Sequence, residues 1–244
     1  MDIWKTIYDE IIAAEKKEPF ITQLTNALPT EEGFWGVLTY ILSDKLATSV
    51  FSQQTLATII TPILKDNDMI RLFITTDLKE YFKRDFACHT YLEILLFSRG
   101  FLATCMYRIS RFLFTQNQLQ TAKFFHSRII ELYTIDIHPN AQIGKGTIID
   151  HGIGIVIGET AQVGDYCVIF HQVTLGSTGH ENGDRHPKIK DHVVIGTGAV
   201  ILGNIHIADH VNIAAGSVVL KNVPPHTTVA GIPAKSVGRS KKLL

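Results

Sequence analysis

The chain has 244 residues, 45% of them hydrophobic, enough for one large domain or two smaller ones with a substantial core. Twenty-three Lys and Arg balance 23 Asp and Glu, which argues against a general nucleic-acid binder, because such proteins carry a basic excess. The three cysteines, Cys88, Cys105 and Cys167, form neither metal-type pairs nor an even disulfide set, and read as buried thiols in a reducing compartment.

At the N-terminus the charges of Asp2, Lys5, Asp9 and Glu10 leave no secretory signal, so a cytoplasmic protein is expected. Ile3, Trp4, Ile7, Ile11 and Ile12 recur at helical spacing. Similar patterns run through Asp77–Lys83 and after Tyr91 and Asn117, with Pro19, Pro29 and Pro62 as punctuation. An all-helical N-terminal domain over residues 1–133 is expected. Its most apolar stretch, Tyr91 to Phe114, is interrupted by Glu93, Arg99, Arg108 and Arg111. A membrane-spanning helix needs about 20 mostly uncharged residues. The stretch therefore reads as a helix of a core or of an oligomer interface, with no membrane partner.

The second half has a different period. Apolar residues recur every six positions at Ile137, Ile143 and Ile149, then after a two-residue slip at Ile157, Val163, Ile169 and Leu175. After a longer break they resume at Ile189, Ile195, Ile201, Ile207, Ile213 and Val219. Four residues after each anchor stands another small or apolar residue, from Ala141, Thr147 and Ile153 to Ser217 and Val223. A period of six suits neither a helix nor a hairpin array. It suits a parallel β-helix, in which anchor and follower point inward and three hexads make a coil. Thirteen anchors predict a little over four coils across residues 134–232. Residues 176–188 break the period with a polar, glycine-rich loop, and a repeat that ejects such a loop is usually building something functional. Residues 233–244 read as a short C-terminal tail.

These hexads resemble the left-handed β-helix acyltransferases. The handedness is implied by that resemblance alone, since parallel crossovers are normally right-handed. Within that group, five segments resemble serine O-acetyltransferase: Asp136-Ile-His-Pro, Asp150-His-Gly-Ile-Gly-Ile-Val-Ile-Gly-Glu-Thr160, Val173-Thr-Leu-Gly-Ser-Thr-Gly179, Gly183-Asp-Arg-His-Pro-Lys188 and Pro224-Pro-His-Thr-Thr228. The resemblance is dense over residues 85–239 and looser before them. It implies an α + β chain, an N-terminal all-helical domain followed by a left-handed parallel β-helix. It further implies acetyl transfer from acetyl-CoA, a co-substrate, to the hydroxyl of L-serine. The products are O-acetyl-L-serine and CoA, in the first step of cysteine biosynthesis. No permanent cofactor or metal is implied.

Transfer from a thioester to an alcohol needs a base near neutral pH, which suits histidine, and a carboxylate on its other nitrogen fixes the tautomer. His151 and Asp136 fit these roles. They stand 15 residues apart, close to one coil of about 18 residues, so they can meet between neighbouring coils. Asp85 and Asp150 suit the ammonium of serine, and Arg185 can clamp its carboxylate with paired donors, supported by His186. Phe86 and His89 depart from the family pattern beside Asp85, as His180 does in the loop. By resemblance, CoA lies in the groove between adjacent β-helices of a trimer, near Ser177, Thr178, Gly179, Thr197 and Ala215. The basic residues Lys235, Arg239, Lys241 and Lys242 are candidates for its phosphates, a solvated tail being the other reading.

The same resemblance implies L-cysteine as a feedback inhibitor and a hexamer built as a dimer of trimers. The apolar surface between Tyr91 and Ile130, large for a thin helical layer, fits such an assembly. Relatives bind O-acetylserine sulfhydrylase through a flexible tail ending in isoleucine. Here the run from Gly238 to Leu244 is short and basic, and six extended residues reach about 20 Å, so that complex is expected to be weak or absent. Three alternatives stand beside this reading. One is a hexapeptide acetyltransferase acting on a sugar or antibiotic hydroxyl, which would keep His151 but not need Arg185 and two aspartates. The second is a γ-type zinc carbonic anhydrase, which needs three imidazoles on one metal. The third is a non-catalytic β-helix scaffold.

Overall fold

Helical spacing in the first hundred residues yields six helices that share one core. In the computed structural model, which describes residues 3–179 and 182–240, they form a compact unit, Met1–Ser98. They are α1 (Ile3–Lys17), α2 (Pro19–Thr25), α3 (Gly33–Leu46), α4 (Gln53–Asp66), α5 (Asp68–Arg84) and α6 (Tyr91–Phe97). Helix α1 turns Ile7 and Ile11 inward. Three helix starts are satisfied by side-chain caps: Ser52 caps α4, Asn67 caps α5, and Thr90 with Glu93 forms a capping box on α6. Glu10 adds a distant cap, accepting from the amides of Tyr91 and Leu92 at 3.3 and 2.8 Å. Burial pushes its carboxyl up, against the pull of those two bonds. Pro19 opens α2, whereas Pro62 lies inside α4 and does not end it.

The second unit, Arg99–Leu244, begins with α7 (Arg99–Thr115) and α8 (Leu119–Tyr133). The apolar stretch read as one helix is thus divided at Ser98, which caps α6. Helix α7 is buried continuously from Gly100 to Ser110. The apolar surface assigned to an oligomer interface is therefore largely covered within the chain itself. Among the described residues, no helix is long and apolar enough to cross a membrane.

The strands follow coil by coil. The first coil holds β1 (Ile135–Ile137), β2 (Gln142–Ile143) and β3 (Ile148–Ile149). The second holds β4 (Ile155–Ile157), β5 (Gln162–Val163) and β6 (Val168–Ile169), and the third β7 (Thr174–Gly176), β8 (Lys188–Ile189) and β9 (Val194–Ile195). The fourth holds β10 (Val200–Leu202), β11 (His206–Ile207) and β12 (Asn212–Ile213), followed by β13 (Val218–Val219), β14 (Thr227–Gly231) and β15 (Ala234–Arg239). Equivalent strands pair in parallel, as in Ile137↔Ile157, Ile143↔Val163 and Ile149↔Ile169. Three sheets result, β1-β4-β7-β10-β13, β2-β5-β8-β11 and β3-β6-β9-β12-β14-β15. They wall a parallel β-solenoid. A parallel bridge from Ile207 to Val223 and strand β14 carry it into a fifth coil, beyond the count given by the anchors.

All thirteen anchors lie on β1–β13, none more than 5% exposed. The follower positions are buried too, except Ile205, which is half-buried, Ile153, which is 46% exposed, and Gly179 after Leu175, which is exposed where the loop begins. Ile153 escapes because the two-residue slip enlarges its corner, and Ile155 takes the inward place at 0%.

Side chains close the start of the solenoid. Tyr107 of α7 donates its hydroxyl to the Ala141 carbonyl, and Arg108 donates to the carbonyls of Ile143 and Gly144 at 3.1 and 2.8 Å. Arg111 donates to those of Asn140 and Ala141 at 2.8 and 2.7 Å. At the other end the expected tail is corrected: residues 234–239 form β15, antiparallel to β14. His180, Lys241, Lys242 and Leu244 lie outside the described residues.

Candidate active site

The corner between β3 and β4, residues 150–154, is where the hexad period slips. His151 sits there at φ 56, followed by Gly152 at φ 76. A Cβ on Gly152 would stand 2.5 Å from Ile135 Cδ1, so the backbone can hug the core only with glycine. The turn pushes His151 outward, its side chain 72% exposed. Its Nε2 lies 3.9 Å from Asp150 Oδ1, and its ring meets that of His171 edge-on at 5.7 Å. Successive coils stack on this corner through the backbone: Gln172 N donates to Ile153 O, Gly198 N to His171 O and Gly216 N to Thr197 O. His151, His171, Thr197 and Ala215 therefore line one edge of the solenoid.

A second edge carries Gly158, Glu159 and Thr160, which follow β4, together with the returning end of the loop between β7 and β8. Arg185 Nη2 donates to Glu159 Oε2 at 2.8 Å, and its Nη1 to the Gly183 carbonyl at 3.0 Å. That guanidinium holds the Glu159 carboxyl below its usual range. The His186 imidazole is 6% exposed and lies against Gly158. Its Nδ1 accepts from the Thr160 amide at 3.2 Å, so in the neutral ring the proton is on Nε2. Burial pushes the His186 pKa down, as do the neighbouring Arg185 and Lys188. Lys188, also buried, ties the loop end to the Thr160 carbonyl at 2.6 Å and to Asp184. Bonded chiefly to Lys188, with smaller contributions from Thr160 and Asn204, Asp184 stays below its usual range. Ser177, Thr178 and Gly179 open the same loop, Gly179 at φ 84.

Asp136 stands on the face between these two edges. Strand alternation turns Ile135 and Ile137 inward and Asp136 outward. Its Oδ1 meets His126 Nε2 of α8 at 2.7 Å, and the bond to His151 expected from spacing is not formed within the chain. The reason is local: Ile137 pairs with Ile157, so the first coil takes 20 residues, and the extra two carry His151 out at the corner. His138, two residues on, accepts at Nδ1 from Asn140 N at 3.1 Å. Burial lowers its pKa, against the opposing pull of Glu159 and Asp136.

Asp85 belongs to the first unit. It ends α5, accepting from Ala87 N at 3.0 Å and from the Cys88 thiol at 3.2 Å. Cys88 is half-buried, not buried as its composition-based reading had it; Cys105 and Cys167 are buried. Sequence reading did not single out His126, His138, Glu159, Thr160 or His171. Glu159 and Thr160 close the Asp150–Thr160 segment directly after an anchor, and that placement could have marked them as edge residues. His126 offers no signal, being one polar residue among several on α8. Among the described residues, no cluster of three or more His, Cys, Asp or Glu side chains is arranged to hold a metal ion.

A hexad solenoid with polar residues gathered on its edges is the architecture of the hexapeptide transferases, and residues 186–221 match the family model "Bacterial transferase hexapeptide (six repeats)". Residues 3–105 match "Serine acetyltransferase, N-terminal". A serine acetyltransferase of Buchnera aphidicola is 42% identical over 244 residues, 98% of this chain and 89% of that protein. The chain belongs to the serine acetyltransferase family. Among solved structures, the Neisseria gonorrhoeae serine acetyltransferase in complex with serine is 41% identical, with a TM-score of 0.93 over 96% of this chain and 97% of that one. The Brucella abortus enzyme in complex with coenzyme A is 36% identical, with a TM-score of 0.95 over 99% and 97%. A serine acetyltransferase in complex with cysteine is 37% identical, with a TM-score of 0.94 over 97% and 99%.

Proposed function

We propose that this chain transfers the acetyl group of acetyl-CoA to the hydroxyl of L-serine, with His151 as general base. One observation carries the choice of base: His151 is turned out at an enlarged corner, beside Asp150 and on the same edge as Thr197 and Ala215. The imidazole takes the serine hydroxyl proton as that oxygen attacks the thioester carbonyl. The C–S bond then breaks, and the imidazolium returns its proton to the departing CoA sulfur. Products are O-acetyl-L-serine and CoA. Complexes of relatives with serine and with coenzyme A support both substrates.

Arg185 and His186 receive the serine carboxylate, Asp150 and Asp85 its ammonium, and Ser177, Thr178, Gly179, Thr197 and Ala215 border CoA. In one chain the His151 edge and the Arg185 edge flank opposite sides of the sheet β1-β4-β7-β10-β13. A site using both takes one edge from each of two copies, which favours a trimer with Asp136 of one copy orienting the base of another. Exposed Phe20, Val50, Met69 and Leu72 in the first unit supply apolar surface for joining trimers into a hexamer. L-cysteine, which keeps the ammonium and carboxylate of serine, competes at the same site, and a cysteine complex of a relative supports this. The free thiols suit a reducing cytoplasm, where the reaction opens cysteine synthesis.

The deciding experiment follows CoA thiol release from acetyl-CoA with and without L-serine. Release that depends on serine is expected. Release unaffected by serine but raised by a galactoside or chloramphenicol would refute this reading and favour the sugar or antibiotic alternative.

A further inference from the structure

Thr160 has no part in the chemistry above, yet more bonds of the loop end converge on it than on any reacting group. Its Oγ1 accepts from the backbone amides of Arg185 and His186, at 3.0 and 3.2 Å. The same oxygen lies 2.8 Å from His186 Nδ1, and the Thr160 amide points at that nitrogen from 3.2 Å. A hydroxyl has two acceptor sites and one proton. Both acceptor sites are filled by amides of consecutive loop residues, and its one proton lies between the His186 imidazole and the Asp184 carboxylate, so the Thr160 amide is what marks Nδ1 as the acceptor. Its carbonyl meanwhile holds the buried Lys188 ammonium at 2.6 Å.

We propose that Thr160 is a positioning residue for the substrate carboxylate, setting the backbone that carries Arg185 and fixing His186 as the Nε2–H tautomer. The inference rests on the assignment of Arg185 and His186 to serine. The chain leaves the solenoid after Gly176, the last residue of β7, and rejoins it at Lys188 in β8, so nothing in the hexad period dictates where Arg185 and His186 stand. The Thr160 hydroxyl supplies that placement from the coil before. It does so with geometry that valine, of similar shape but without the oxygen, cannot reproduce. The Nε2–H of His186 then faces away from Thr160 as a donor, which suits a carboxylate.

Two measurements on the full chain test this. In steady-state kinetics, Thr160→Val should raise the KM for L-serine about 10- to 100-fold, the cost of misplacing a positioning group by about 1 Å, while the KM for acetyl-CoA stays within about twofold. Thr160→Ser should stay within about threefold of the parent in both. A serine KM unchanged in Thr160→Val, or equal losses in Thr160→Val and Thr160→Ser, would overturn the proposal. The second measurement does not depend on the Thr160 variants folding. The ¹⁵N shifts of His186 in the parent protein, assigned by their loss in His186→Gln, should report Nδ1 bare and Nε2 protonated. The opposite tautomer would overturn the proposal. If the parent protein showed no serine-dependent turnover, the functional reading would fall instead, while the tautomer would still decide whether Thr160 fixes the ring.

Discussion

Replacing Gly158 with alanine puts a methyl group where His186 now lies. The added Cβ would stand 2.0 Å from Nε2, 2.1 Å from Cδ2 and 2.8 Å from Cε1 of that ring. Ordinary contact is about 3.5 Å, so the ring must retreat by about 1.5 Å. It has little room: it is 6% exposed and its Nδ1 is tied to the Thr160 amide at 3.2 Å. The φ of Gly158 is not positive, so the cost is steric and not one of backbone strain. Overpacking of this kind costs about 1–3 kcal/mol, which for a chain of this size lowers Tm by roughly 2–12 °C. Displacing a substrate-facing group by more than 1 Å costs about 10²-fold in turnover efficiency. The expected result is a loss of that order in kcat/KM for serine, with the KM for acetyl-CoA little changed. Gly164→Ala is the control. Its Cβ would stand 2.2 Å from Asp191 Oδ1 and 2.7 Å from the Lys190 backbone, at a corner away from both candidate edges, so it should lower Tm without touching serine kinetics. The reasoning fails if Gly158→Ala retains the parent kcat/KM for serine, or if Gly164→Ala loses as much.

His151→Ala should lower kcat by about 10²–10⁴-fold, the usual worth of a general base, with circular dichroism unchanged; near-parent turnover in a folded protein would remove His151 from the mechanism. Arg185→Ala should weaken serine and cysteine together, measured as the serine KM and the cysteine inhibition constant, whereas loss of cysteine inhibition alone would separate the two sites. Stability should depend on pH through His138 and His186. Burial holds both below the ordinary value of 6.5, so just under that pH the unfolded chain binds more protons than the folded one. Their contribution is complete above 6.5 and declines as pH falls through the folded values. Tm should therefore drop as pH falls below about 6.5, and less steeply in His186→Gln; identical slopes would show that His186 does not contribute.

The solenoid was legible because one rule sets it. Each anchor must face the interior, and the thirteen from Ile137 to Val219 do. The rule fails where the backbone departs from it, at the enlarged corner that exposes Ile153 and throws His151 outward. The same departure defeated the spacing argument for Asp136, whose carboxylate is engaged by His126, a residue of α8 with no periodic signature. Strand β15 was missed because antiparallel pairing of Ala234–Arg239 with β14 is made through the main chain, and Lys235, Ser236 and Arg239 give no apolar pattern. The break at Ser98 was hidden within a run that is apolar on both sides. Arg185 and His186 were identifiable from their segment, but not the edge they share with Glu159 and Thr160, since that depends on where the chain, after leaving β7, returns to the coil at β8.

Ladders of parallel strands have no intrinsic length. Each coil offers the next an edge of free amides and carbonyls, and such an edge recruits whatever extended chain arrives. Here the opening edge is stoppered by three side chains of α7, Tyr107, Arg108 and Arg111, which occupy the carbonyls of residues 140, 141, 143 and 144. The closing edge reverses direction in the β14–β15 hairpin. Neither stopper refers to how many coils lie between them. The middle of the chain is thus free to lengthen or shorten by whole coils over evolutionary time, while each version keeps the same α7 contacts at one end and the same hairpin at the other.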